Sequence, residues 1–198
     1  MKTISKLFLS LFLALTALCG LSGCDSMIAT SLEGTWEGEM YFASYYDGRY
    51  YYSNWSEIEF VGDPFRFKRG NGYWIDYYSG APWDYVANHF EWEVRNKVIY
   101  IHLIEDQYDV EIRDYHLDDD NFSGYVYYEG EDRYFELIHT YSPNWDDYDY
   151  GYGYYSQRRA VANDSISPAA SDSGSSNLPP QLKERPKRVL VPAGKTLH

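Results

Sequence analysis

The side chains equipped for chemistry are few and dispersed. Glu91, His102 and Asp109 fall side by side if the apolar residues around them alternate as three neighbouring strands, and a carboxylate beside an imidazole is the arrangement of an oriented base or a metal ligand. The same parity places them on the outward face with Glu93, Tyr100 and Glu111, where opposite charges form a cross-strand ladder, and this is the favoured reading. Asp114 and His116 are expected inward at one end of the sheet, which makes them the pair to consider for a carboxylate-dependent hydrolase or isomerase. Asp118-Asp119-Asp120-Asn121 and Asp146-Asp147-Tyr148-Asp149 carry oxygens of the kind calcium takes, but without the spaced ligands and glycine of an EF-hand loop they read as solvated turns. The chain has no Gly-x-Ser-x-Gly elbow, no His-Glu-x-x-His and no glycine-rich phosphate loop. No catalytic residue, metal site or cofactor is assigned, and the balance leans away from an enzyme.

Aromatic side chains are the richer resource. The 198 residues include 23 Tyr, six Trp and nine Phe, every Tyr lying between Tyr41 and Tyr155. Trp36, Phe60, Phe67, Phe90, Trp92, Phe122 and Phe135 are at core parity. Surplus tyrosines crowd the segments Tyr45 to Tyr52, Tyr77 to Trp83 and Tyr148 to Tyr155; the last is expected as a surface strip or as a plug or lid folded back on the body. Tyr and Trp offer rigid, amphipathic contact area at low entropic cost. Tyr45, Tyr46, Tyr78, Trp83, Tyr108 and Tyr128, with Asp114, are the candidate ligand-binding residues.

The elements that hold these residues are strands. From Asn88 to Thr140 the sequence alternates in period two, and a single face parity survives every turn. With a two-residue turn at Asn96-Lys97, Arg95 pairs Val98, Trp92 pairs Ile101 and Phe90 pairs Leu103. A turn at Glu105-Asp106 sets Leu103 against Tyr108 and Ile99 against Ile112. A turn at Asp118 to Asp120 aligns Ile112 with Val126 and His116 with Phe122, and one over Glu129 to Asp132 brings in Phe135 and Leu137. A one-residue slip would turn all these side chains to the other face, so the consistency predicts a five-stranded antiparallel meander. Upstream, Thr35 to Phe42, Tyr50 to Phe60, and a hairpin of Phe65 to Arg69 with Tyr73 to Tyr78 turning at Gly70-Asn71-Gly72 raise the count to eight or nine. The expected fold is all-β, an antiparallel up-and-down barrel, which removes exposed edges; a two-sheet sandwich is the alternative.

The chain is organised as four segments. Residues 1–23 have two lysines, an apolar run from Leu7 to Leu18 and then small residues, the pattern of a secretory signal too short to span a bilayer. Residues 24–32 are expected as a polar tether, 33–155 as the barrel, and 156–198, without aromatics and rich in Ser and Pro, as a disordered tail. From Asp25 to Tyr155 there are eight bases and 27 acids, a net −19, whereas the tail has seven bases and three acids, a net +4. An acidic body of this kind is a poor match for nucleic acid, which requires clustered Lys and Arg.

Leu21-Ser22-Gly23-Cys24, placed directly after the apolar run, resembles the lipobox of bacterial lipoproteins. The resemblance implies cleavage before Cys24, acylation of that cysteine (a palmitate-type anchor) and attachment to the cell envelope, the outer membrane being favoured over the inner. Gly34-Thr35-Trp36 at the head of the first strand resembles the Gly-x-Trp signature of lipocalins, and Leu32 to Gly38 followed by a meander resembles lipocalin-like lipoproteins of Bacteroidetes over roughly Leu32 to Thr140. In that family an Arg from the last strand caps the Trp; here His139-Thr140 stands there instead. The resulting expectation is a lipid-anchored, non-catalytic binding module for a small or amphipathic ligand, a glycan or an envelope protein. A purely structural role, with the basic tail on anionic lipid, is the remaining alternative.

Overall fold

The computed structural model describes residues 24–153, 182 and 186–191; the signal segment and most of the tail lie outside these. Eight strands close into an antiparallel barrel: β1 (Gly34–Glu39), β3 (Arg49–Gly62), β4 (Arg69–Tyr78), β5 (Tyr85–Arg95), β6 (Val98–Leu103), β7 (Tyr108–Leu117), β8 (Asn121–Tyr128) and β9 (Glu131–Thr140). Consecutive members of this series pair with one another, and β1 completes the ring by pairing both β3 and β9. Among the described residues three strands lie outside the ring. β2 (Phe42–Tyr46) pairs the start of β3, β10 (Gly151–Gly153) pairs β5, and β11 (Lys187–Leu190) pairs β2.

The meander register is the expected one from β5 to the middle of β7, including Arg95 with Val98, Trp92 with Ile101 and Ile99 with Ile112. Asn96 and Lys97 both have positive φ, the geometry of a two-residue turn whose twist matches its strands. The register departs at Asp114. This residue sits at φ 49° in an irregularity between Arg113 and His116, so Leu117, not His116, pairs Phe122. The bulge inserts one residue and reverses the parity that follows it. Tyr115 therefore packs on the core, and Asp114 and His116 are exposed, contrary to their expected inward placement.

A second departure concerns Gly70-Asn71-Gly72. These residues lie within β4, paired to Gly62, Val61 and Phe60, and the connection is the loop 63–68. A Cβ on Gly70 would meet the Val61 carbonyl and the Trp92 ring, and one on Gly72 the Phe90 ring. Glycine is present so that two inward aromatics can cross the strand, not to make a turn. Phe65 and Phe67 consequently belong to that loop; Phe67, expected in the core, is 75% exposed.

The barrel interior is packed with side chains. Trp36, Trp74, Phe60, Phe90, Phe122 and Phe135 are each almost wholly buried, joined by edge-to-face contacts such as Phe60–Phe90 at 5.2 Å and Phe122–Phe135 at 5.0 Å. Both ends are covered. Residues 24–32, expected as a tether, are helical (α1) and lie across one end, with Ala29 and Leu32 buried in the core. Asp25 accepts hydrogen bonds from the backbone N–H groups of Asn96 (3.2 Å) and Lys97 (2.9 Å) and pairs with Lys68. At the same end Trp36 Nε1 donates to the Leu32 carbonyl, and its ring meets His139 edge-on at 5.1 Å. The opposite end is covered by β2 and β11. β11 comes from the segment expected to be disordered, most of which lies outside the described residues.

Candidate functional site

The polar centre of the molecule is at the β11 end, around a residue the sequence reading did not single out. Arg188 alternates inward on β11 and is 4% exposed. Its guanidinium pairs with Asp76 and with Asp106, the latter at 3.3 Å, and lies over the rings of Phe42 (4.5 Å), Trp74 (5.1 Å) and Tyr108 (5.6 Å). Asp76 Oδ1 also accepts from Ser56 Oγ (2.6 Å) and Trp74 Nε1 (3.0 Å), while Asp106 and Asn88 exchange two hydrogen bonds. Burial pushes the Asp76 carboxyl above its ordinary range, opposed by the Ser56 and Trp74 hydrogen bonds, and burial lowers Arg188. Each is the other's counter-ion, the condition under which buried charges persist. Two signals were available in the sequence: an acid at inward parity within Tyr73 to Tyr78, and a short β-prone run, Arg188 to Val191, in an otherwise low-complexity tail.

Beyond this seal, β2 and β3 continue as a two-stranded ribbon turning at Asp47-Gly48, both at positive φ. Its two faces differ. Tyr46 and Tyr51 turn toward Trp83, which is also met by Tyr78 and Tyr152, so this tryptophan is ringed by four tyrosines at 4.9–5.8 Å. Tyr78 and Trp83 are 6% and 1% exposed. The other face carries Tyr45 and Tyr50, exposed, with ring centroids 4.9 Å apart and planes tilted by 52°, and Tyr52 next along that face. Tyr50 and Tyr52 line two grooves. One, of about 630 Å³, is completed by Glu39, Tyr51, Ser53, Asn54, Gly80 and Ala81. The second, of about 200 Å³, is completed by Ala43, Tyr128, Glu129, Glu131, Val189 and Leu190.

The candidate residues therefore separate into three groups. Tyr128 lines a ribbon groove with Tyr50 and Tyr52, and Tyr45 lies against Tyr50 outside both groove linings. Tyr46, Tyr78, Trp83 and Tyr108 are packing residues, Tyr108 lying against Tyr128 at 4.7 Å. Asp114 is at the α1 end, the far end of the barrel, with Cys24 and Leu117.

Among the other polar clusters, Glu91, His102 and Asp109 do lie side by side on the outer wall. His102 Nδ1 is 2.8 Å from Asp109 Oδ1, both well exposed, beside a groove of about 470 Å³ that also contains Arg69, Arg95 and Tyr100. Exposure leaves the pair in water, as expected of a charge ladder. Asp118 accepts from the backbone of Asp120 and Asn121 in its turn, and those bonds hold its carboxyl below the usual aspartate range. Among the described residues no three His, Cys, Asp or Glu side chains converge as a metal site. The Tyr148 to Tyr155 strip, as far as Gly153, folds back over the outer wall of β4 and β5, not into the barrel. Trp145 stacks on Tyr73 at 5.0 Å, and Tyr150 stacks on His89, whose Nδ1 meets Glu105 at 2.6 Å. No helix among the described residues is long and apolar enough to cross a membrane.

Compared with known protein families, with curated proteins and with solved structures, the chain finds no match in any of the three.

Proposed function

We propose that the protein is an envelope-anchored, non-catalytic binding module that takes a glycan on the outer face of the β2–β3 ribbon. The observation that carries this reading is that each ribbon groove is lined by three tyrosines, whereas the outer-wall groove beside His102 and the hollow at the α1 end carry one each. The barrel interior is filled by Trp and Phe and both ends are covered, whereas the ribbon offers open grooves in which tyrosine rings neighbour Glu39, Asn54, Glu129 and Glu131. Flat aromatic faces accept the C–H faces of a sugar ring, and carboxylates and amides accept or donate to its hydroxyls. Ligands generally require this combination of apolar area and a few placed polar groups. The anchor is Cys24, whose lipobox-like context and position at the end opposite the ribbon support a protein that presents its tyrosines away from the membrane.

The test is a glycan array probed with the purified protein, followed by titration of any hit against wild type, Tyr50→Ala and Tyr52→Ala. A bound glycan that loses at least about tenfold in affinity with either substitution, as expected for loss of one stacking surface, supports the assignment. Binding unchanged in both variants, or no glycan bound, overturns it.

A further inference from the structure

The α1 end carries apolar side chains that a water-facing surface does not explain. Phe65 is 88% exposed, Phe67 75% and Met27 73%, and all three belong to elements at this end. The two phenylalanines are not on a slack loop. Asp63 N–H donates to the Arg69 carbonyl at 2.9 Å, Phe65 N–H to Asp63 Oδ1 at 2.8 Å, and Arg69 N–H to the Arg66 carbonyl at 3.0 Å. These bonds close the loop on itself and hold both rings outward. Arg66, 67% exposed and only loosely paired with Asp63 at 3.9 Å, stands between them, and Lys68, paired with Asp25, follows. Aromatic rings interleaved with cations are the composition of a membrane–water boundary, where rings settle at headgroup level and cations meet lipid phosphates.

The same end receives the anchor. The apolar run of residues 7–18 leads to Cys24, the first residue of α1, and Asp25 ties α1 to the Asn96-Lys97 turn, so no slack separates Cys24 from the body. We infer that the α1 end is a phospholipid-docking face, with Phe65, Phe67 and Met27 entering the headgroup–acyl boundary while Cys24 holds the body down. This rests on the anchor reading of Cys24 for proximity to the bilayer. It goes beyond that reading by giving the body a fixed orientation and a second attachment beside the anchor. By strand order the acidic Asp118–Asp120 turn, between β7 and β8, lies across the end from the Phe65–Phe67 loop between β3 and β4. The barrel therefore tilts, loop side down, with the acidic turn lifted from the lipid.

The experiment uses the full chain, processed in its host, purified and reconstituted in phosphatidylcholine vesicles with and without phosphatidylglycerol. A nitroxide is attached at Phe67→Cys or, separately, at Tyr45→Cys on the ribbon. The expected result is a label at 67 that is accessible to oxygen and shielded from a water-soluble nickel relaxant, and a label at 45 with the reverse behaviour. Phe65→Ser with Phe67→Ser is expected to speed transfer between vesicles by about tenfold or more. Vesicle-bound protein with both labels equally in water, or unchanged transfer in the double variant, overturns the docking face and leaves the anchor standing. Cys24→Ser that still binds, with the label at 67 still shielded, overturns the anchor and leaves the docking face standing. Wild-type protein that does not bind vesicles overturns both.

Discussion

Replacing Arg188 with Met is the substitution whose effect the structure specifies most closely. The guanidinium is 2% exposed and faces two carboxylates, Asp76 at 0% and Asp106 at 4%. Removing one partner of a buried pair typically costs about 3–5 kcal/mol, because the remaining charge is left without compensation. Here the loss is bounded, since β11 is a four-residue strand outside the ring and can unseat, letting water reach both carboxylates. A loss near the lower figure, about 3 kcal/mol at pH 8, follows, equivalent to roughly 6–12 °C in Tm for a body of this size. The pH dependence has a defined sign. Burial already raises Asp76 above its value in the unfolded chain with Arg188 in place, and loss of the guanidinium raises it further. A carboxyl raised in this way costs nothing below its unfolded pKa, and the cost grows with rising pH until its folded pKa is passed. The loss is therefore smaller at pH 5 than at pH 8, and adding Asp76→Asn removes most of the difference. The assay is urea denaturation followed by tryptophan fluorescence, which senses Trp74 beneath the guanidinium, with amide exchange at Val189 to detect release of β11. A loss under about 1 kcal/mol at pH 8, or one as large at pH 5, refutes the reasoning.

Two further outcomes follow from other parts of the barrel. Asp25→Ala strips the Asn96 and Lys97 N–H groups of a buried acceptor, and the expected loss is about 1–3 kcal/mol in thermal denaturation, with earlier amide exchange in α1; unchanged exchange there contradicts the helix's role as a cover. The Asp118 carboxyl, held low by two backbone N–H bonds, adds stability above its unfolded pKa and loses it as pH falls through the lower folded value. Carbon-detected NMR should place its midpoint below the usual 3.8, and a midpoint at or above that value removes the argument.

Legibility in the sequence followed periodicity. The pairing from Phe90 through Ile112 was readable because two tight turns and an unbroken period of two leave no other register that buries Trp92, Ile101 and Val110 together. Asp114 and His116 were misplaced because a bulge is one inserted residue and leaves no compositional mark. Gly70 and Gly72 misled for the opposite reason: glycine signals a turn and a close approach equally, and only the partner strand's Phe90 and Trp92 distinguish the two. Arg188 was hidden by sequence distance. Its counter-charge Asp76 lies 112 positions away, and no local pattern links an isolated strand in a polar tail to one acid on β4. The ribbon grooves were half legible, as a crowd of tyrosines, but which ring faces Trp83 and which faces solvent depends on the Asp47-Gly48 turn setting Tyr45 against Tyr50.

The tyrosines themselves follow from a barrel wall covered on both sides. Phenylalanine and tryptophan fill the interior, whereas outward residues of β4 and β5 such as Ile75, Tyr85 and Ala87 are buried a second time beneath residues 145–153. A seam between such layers requires apolar area along the ring and a polar tip at the margin, where backbone and carboxylates emerge. The hydroxyls show this division. Tyr77 Oη donates to Glu57 at 2.9 Å and meets Tyr148 Oη at 2.8 Å, Tyr85 Oη accepts from Asp149 N–H at 3.0 Å, and Tyr152 Oη donates to the Pro186 carbonyl at 3.0 Å. Phenylalanine at these positions would strand the partner groups; serine would forfeit the area. Tyrosines used this way are interlayer contacts and offer nothing to a ligand. Among the described residues, those with a ring well exposed to solvent are a short set, Tyr45, Tyr50, Tyr125, Tyr134 and Tyr141, and of these only Tyr50 lines the grooves, with Tyr45 tilted against it. Among the described tyrosines, the binding proposal therefore rests on one face of one ribbon.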